Sequence, residues 1–384
     1  MRVVIDARPA LDPQRTGVGQ YAAQVIHHLP RADPDSEYVA WYLHARGLFR
    51  PRRFFEDPGA PNLIDRASRF PARVFQPMSF RLQVPRLEWL TGGFDALLAT
   101  NFLPPPTGRG GVVLVVHDLA FRVMPETAPH MDERWSRRFA RWLHDSARVI
   151  VPSRATKEDL VGFEGVDEAK VVVVHHGVDA EAFAAVPVET LRAARLRHRI
   201  DGPYVLSVGG IEPRKNLVTL VRAFAELRQR DVVLVIAGGP VRWIPQEAGR
   251  LRAEVDALAP DVRRRVVLTG YVSDEDRVAL TVGATAVAYP SRYEGFGFPV
   301  LEAMAAGVPV LTSNVSSLPE VAGDAAVLVD PADISAIADG LHRLLSDAGL
   351  REHLREAGRA RAVTFTWHET ARRTAAVLRE AAAR

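Results

Sequence analysis

TAVAYPSRYEGFGFPVLEAMAAGVPVLTS, residues 285–313, reads as one complete strand–helix–strand unit. TAVAYP (285–290) and VPVLTS (308–313) are apolar without alternation, the pattern of parallel strands covered on both faces. Between them Pro299 suits the first helical turn, Gly307 the helix exit and Pro309 the start of the next strand. The same run holds two carboxylates, Glu294 and Glu302, eight residues apart among small and apolar neighbours. An acid near a helix N-terminus answers the helix dipole, which explains Glu302 taken alone. It does not explain two acids beside Gly295 and Gly297.

The alternation continues on both sides. Upstream, VVID (3–6), YVAWYL (38–43), DALLAT (95–100), GVVLVVHD (111–118), RVIVPS (148–153) and KVVVVHHG (170–177) read as strands. GQYAAQVIHHL (19–29) and RATKEDLVGF (154–163) read as helices among them. Residues 178–203 are charged, end in Gly-Pro and suit a linker. A second series starts at YVLSVG (204–209), runs through the helix 216–227 and the strands 231–238 and 264–270, and ends with AAVLVD (325–330). Helices follow from 333 onward. Two doubly wound α/β units in tandem are the economical reading, and 384 residues are too many for one ordinary core.

Composition sets limits. The chain is 47% hydrophobic and 25% charged, has no cysteine, and carries a net charge of +3. Disulfide and thiolate chemistry are excluded, and a bulk nucleic-acid binder is not indicated. No apolar run has the length of a membrane span, so a cytosolic protein, or one touching a membrane only at its surface, is expected. Charge is uneven. Residues 46–86 hold nine arginines against Glu56, Asp57 and Asp65, interleaved with phenylalanines. RWSRRFARWL (134–143) places Trp135, Phe139 and Trp142 at helical spacing among four arginines. Such segments can lie on an anionic bilayer; core aromatics beneath a solvated arginine face are the simpler reading of 134–143.

Ligands of open parallel sheets collect at the carboxyl ends of strands, and four stretches lie there. RTGVGQ (15–20) offers Gly17, Gly19 and a helix start to an anion, although a plain turn explains two glycines nearly as well. It is not the dinucleotide fingerprint. His117 and Asp118 end a strong strand and could be a polar pair at a pocket mouth, although a lone His-Asp is more often a structural hydrogen-bonded pair. In VGGIEPRKNL (208–217), Arg214 and Lys215 precede a helix that Asn216 can cap. Cations there oppose the dipole unless an anion such as a diphosphate sits between them. The fourth stretch is the Glu294–Glu302 run, whose acids suit sugar hydroxyls and whose glycine amides suit phosphate.

These residues carry a resemblance. YEGFGFPVLEAMAAGVPV (293–310) resembles the E-x7-E motif of the retaining family 4 glycosyltransferases, which have the GT-B fold. GGIEPRKNL is similar to their donor-phosphate loop, GYVSDEDRVAL (270–280) to their base loop, and RTGVGQ to their N-terminal glycine loop. VHDLAFRVMPE (116–126) resembles bacterial mannosyltransferases of surface-polysaccharide and glycolipid pathways. The resemblance implies two Rossmann-like domains facing a cleft. Residues 1–178 would bind acceptor and 179–366 a nucleotide-sugar donor, with the last helix, from about 367 to 384, crossing back to the N-terminal domain. It implies that Arg214 and Lys215 bind the diphosphate, Glu294 the hexose and Glu302 the ribose. Phe296, Gly297 and Phe298 would offer amides to phosphate, and Val272 and Asp274 would read the base. Gly17 and Gly19 would close over the donor, and His117 would contact the sugar.

Mannose from GDP-mannose to a saccharide or lipid-linked acceptor is the expected reaction. No Asp-x-Asp pair follows an apolar strand, so metal-independent chemistry is expected. A UDP-sugar enzyme is the nearest alternative, and a silent nucleotide-sugar-binding partner the alternative from another class. That partner would have no need to keep Arg214, Lys215, Glu294 and Glu302 together.

Overall fold

A computed structural model describes residues 1–12, 16–44, 54–55, 57, 59–108 and 111–383. The chain divides into two units. The first comprises Met1–Leu119, Asp132–Gly177 and Trp367–Arg384; the second comprises Ala120–Met131 and Val178–Thr366.

The first unit is built on seven parallel strands: β1 (Arg2–Asp6), β2 (Glu37–Leu43), β3 (Leu63–Ser68), β4 (Ala96–Ala99), β5 (Gly111–Val115), β6 (Arg148–Val151) and β7 (Val171–Val173). They lie in the order β3-β2-β1-β4-β5-β6-β7. The middle strands are buried on both faces, which is why their sequences show no alternation. At the edge, β3 alternates in exposure, with Asp65 and Arg66 among its residues. That polar alternation inside a basic stretch kept it from being read as a strand.

The second unit has six parallel strands: β8 (Tyr204–Val208), β9 (Val233–Ala237), β10 (Val266–Gly270), β11 (Ala286–Tyr289), β12 (Val310–Ser313) and β13 (Val327–Val329). Their order is β10-β9-β8-β11-β12-β13. Residues 178–203 are not a linker. They form the helices Ala180–Ala184 and Val188–Arg197, and Phe183, Ala194 and Ile200 enter the core of this unit. The Asp276 carboxylate fastens them, accepting from Arg197 at 2.9 Å and contacting His198 Nε2 at 2.9 Å.

Two segments pack away from their neighbours in the chain. Ala120–Met131 follows β5 yet packs with the second unit, where Ala120 and Met124 meet Tyr293 and Trp243 Nε1 donates to the Thr127 carbonyl at 3.1 Å. The last helix, Trp367–Ala382, belongs to the first unit. Its Trp367 stacks near His176, Thr370 donates to the His175 carbonyl at 2.8 Å, and Arg379 reaches the fully buried Asp33. No helix among the described residues is long and apolar enough to cross a membrane.

Candidate active site

In each sheet the strand order reverses once, between β1 and β4 and between β8 and β11. Such switch points leave a crevice at the carboxyl ends of two neighbouring strands. In the second unit, β8 leads to the turn Pro213–Lys215 and β11 to residues 290–297, so this crevice receives Arg214, Lys215 and Glu294 together.

Their contacts are dense. Arg214 Nη1 lies 2.5 Å from Glu294 Oε2, and Lys215 Nζ lies 2.6 Å from Glu294 Oε1. Arg214 also pairs with Glu212 at 2.7 Å, and Lys215 donates to the Tyr289 hydroxyl. Lys215 is 9% exposed and Glu294 6%. The cations that oppose a helix dipole in the sequence are thus answered from within the chain, by Glu294 and Glu212. Asn216 does not cap its helix with its side chain. Its Nδ2 donates instead to the Pro290 and Pro331 carbonyls, at 3.0 and 2.7 Å, and ties the loop after β11 to that after β13.

Electrostatics fix the protonation states. Burial pushes the Glu294 carboxyl upward, but Arg214 and Lys215 outweigh it and bring the pKa down to about 2. Burial, then the neighbouring Arg214, lowers Lys215 from its ordinary value, opposed by Glu294 and Glu212. Burial, then the charge of Glu294, raises Tyr289 well above its ordinary value, so its hydroxyl keeps its proton.

Two serines fasten the backbone of the glycine loop. The Glu294 amide donates to Ser316 Oγ at 3.0 Å, and Ser317 Oγ donates to the Glu294 and Phe296 carbonyls at 2.8 and 2.9 Å. Gly297 has φ +113, and a Cβ there would lie 2.8 Å from Leu318 Cδ2. Glycine is required on both counts. It precedes the helix Phe298–Ala305, which no side chain caps. Phe296 is buried, its ring 5.5 Å from that of Phe298. Glu302, the fifth residue of this helix, is buried and lies 2.5 Å from Arg277 Nη1. Arg277 also reaches Asp274 at 3.6 Å. Asp274 is exposed at the head of the helix Asp274–Val282, and Val272 packs partly against the core.

Gly17, Gly19 and His117 belong to the first unit. Gly17 opens the helix Gly17–Ala32, and the Gly19 amide donates to the capping Thr16 hydroxyl at 3.5 Å. Arg15 lies outside the described residues. His117 is buried, with Nε2 2.8 Å from the Thr100 carbonyl. A carbonyl only accepts, so Nε2 carries the proton; burial lowers the ring's pKa and favours this neutral form. Tyr21 and His176 flank the ring, at 5.1 and 5.7 Å between centroids.

Four groups in these contacts escaped the sequence reading: Glu212, Arg277, Tyr289 and the Ser316–Ser317 pair. Tyr289, the last residue of β11 and a polar group at a strand's carboxyl end, carried a usable signal. Glu212 and Arg277 did not, because each is defined by its partner.

Comparison with known proteins now bears on the whole chain. Residues 15–182 match the family Glycosyltransferase Family 4, and residues 192–361 match Glycosyl transferases group 1. The chain belongs to the family 4 glycosyltransferases. This glycosyltransferase is 29% identical to the O-antigen chain mannosyltransferase B of Escherichia coli, over 97% of this chain and 98% of that protein. It is also 29% identical to the serotype-specific mannosyltransferase WbdA of Escherichia coli, over 67% of this chain but 32% of WbdA, so it spans about a third of that relative. The sucrose-phosphate synthase of Thermosynechococcus elongatus, 22% identical, shares the fold with a TM-score of 0.75 over 98% of each chain. The fold is GT-B.

Proposed function

We propose that this glycosyltransferase moves mannose from GDP-mannose to a saccharide or lipid-linked acceptor, retaining the anomeric configuration and needing no metal. The observation that carries the reading is the buried Arg214–Lys215–Glu294 cluster beside an uncapped helix start. The similarity to two mannosyltransferases supports the choice of sugar.

The chemistry follows from charge. When the bond from the anomeric carbon to the diphosphate breaks, its electron pair stays with the diphosphate oxygen. Arg214 and Lys215 stabilise that charge, and pre-placed donors of this kind contribute about 3 kcal/mol each in a site shielded from water. Glu294, already ionised, accepts hydrogen bonds from hexose hydroxyls. As it does so its hold on the two cations is shared with the diphosphate. Glu302 holds the ribose hydroxyls on the same logic, sharing Arg277. The first unit takes the acceptor, and its arginine-rich surface touches an anionic membrane.

Donor binding and slow donor hydrolysis by purified protein test this, with GDP-mannose, UDP-glucose and UDP-N-acetylglucosamine side by side. Cleavage of GDP-mannose that disappears in Glu294→Ala and in Lys215→Ala is expected. Cleavage of a UDP sugar instead replaces the donor and keeps the site. Cleavage unaffected by either substitution removes the site.

A further inference from the structure

The switch point of the first sheet is also lined by polar side chains, of a different kind. Arg8 follows β1, and Leu103 and Pro104 follow β4. With Gln76, Ser79 and Gln83 from the helix Ala72–Leu82 and its end, and Arg138 and Trp142 from the helix Glu133–Asp145, they line one pocket. A second pocket shares Gln83, Arg138 and Trp142 and adds Arg81 and Arg141.

No carboxylate is among the side chains lining either pocket. Arg8 is answered by Asp6, at 2.7 and 2.6 Å, and lies over the Trp41 ring, so it is a fixed wall. Arg141 pairs with Asp145, which does not line the pocket, at 3.4 Å. Among the described residues Arg81 pairs with no carboxylate. The solvated face read from the sequence therefore describes Arg137, which pairs with Glu133. Arg141 pairs likewise with Asp145, and Arg138 and Arg141 together share a concave surface with Trp142. Cations gathered in a concavity focus a positive potential there.

We infer that this crevice, lined by Arg81, Arg138, Arg141 and Trp142, binds the phosphate or diphosphate group of a phosphorylated acceptor. Guanidinium forks match phosphate oxygens, and several around one pocket suit a group with more than one charge. Trp142 supplies an apolar face for whatever the phosphate is attached to, and Gln83 and Ser79 supply polar atoms. Calling the ligand an acceptor rests on the transferase reading; the anion site itself does not.

The test is titration of the full chain with inorganic pyrophosphate at low ionic strength, read by tryptophan fluorescence and corrected with Trp142→Phe. A saturable signal that depends on Trp142 is expected. It persists in Lys215→Ala, which disables the other anion site, and in Arg137→Gln. It weakens about tenfold or more in Arg138→Gln/Arg141→Gln, the loss expected for charge-assisted contacts. All the replaced side chains except Lys215 are outside the core, so unchanged melting curves certify the variants. No Trp142-dependent signal, or the same affinity in the double variant, overturns the proposal. Two further arms identify the source. Recruitment to neutral vesicles containing a long-chain prenyl diphosphate, lost in the double variant, assigns a lipid. Displacement of pyrophosphate by a soluble hexose phosphate assigns a free sugar phosphate. Failure of both arms overturns the acceptor assignment. Pyrophosphate binding without any nucleotide-sugar cleavage would break the transferase reading and leave this site standing, and the converse result would do the opposite.

Discussion

The two switch points use arginine in opposite ways. In the second unit Lys215 is buried and Arg214 largely so, and carboxylates, a carbonyl and a hydroxyl answer them. In the first unit Arg81 and Arg141 are exposed, and the pocket they line holds no acid. A buried cation must be answered inside the chain, because leaving water costs several kcal/mol per ion. An exposed one can wait for a partner. The difference separates a site whose charges are buried and answered inside the chain from one whose charges stand at the surface, open to a ligand.

The sharpest way to break this comparison is to remove the shared carboxylate. Glu294→Gln leaves two buried cations facing a neutral amide, and a stability loss of about 3 kcal/mol is expected at neutral pH. The Glu294 pKa is about 2 in the fold against 4.5 in an exposed glutamate. Its contribution is therefore complete above pH 4.5 and is lost as the pH falls from there to 2. Melting curves of wild type and variant should differ widely at pH 7 and converge across that window. A gap that stays constant with pH would mean that the charge of Glu294 is not what holds the cluster.

A smaller effect sharpens it. Tyr289→Phe keeps the ring under Lys215, whose ammonium lies 4.7 Å from the ring centroid, and deletes only the hydroxyl. About a fivefold drop in donor turnover is expected, the equivalent of one hydrogen bond worth about 1 kcal/mol. Unchanged turnover would show that Glu294 alone orients the lysine. The smallest effect belongs to the first unit, where Val74, Leu82 and Trp89 are exposed near Arg73, Arg81 and Arg86. Co-sedimentation with anionic vesicles should be measurable at low salt and fade at physiological salt, since exposed charges are screened over roughly 8–10 Å. Vesicle binding absent at low salt would remove the membrane contact. Of the basic stretch read from the sequence, Arg46, Arg50, Arg52 and Arg53 lie outside the described residues.

The strands were legible where burial on both faces left an unbroken apolar run, as in YVLSVG and GVVLVVHD. They were illegible at the edge, where β3 has one face in water and alternates. Residues 178–203 looked like a linker because half of two short helices faces solvent, and only Phe183, Ala194 and Ile200 betray the packing. The dipole conflict at Arg214 and Lys215 was visible in nine residues of sequence. Its resolution was not, because Glu294 lies about 80 residues away and two loops must fold before the three side chains meet. Asn216 shows the same limit. A good capping residue was put to other use by two carbonyls that no local pattern announces.

One feature of the chain path bears on how the protein is made. The first unit includes the helix Trp367–Ala382, whose Trp367, Thr370 and Arg379 contact His176, His175 and Asp33. A ribosome has therefore released the whole second unit before the first can close over its last helix. Vectorial folding from the N-terminus gives the second unit every chance to finish first, although its sequence is translated later. During that interval Tyr21 and Asp33 lack their covering helix, and the nascent first unit is the part of this protein with the most to gain from a chaperone.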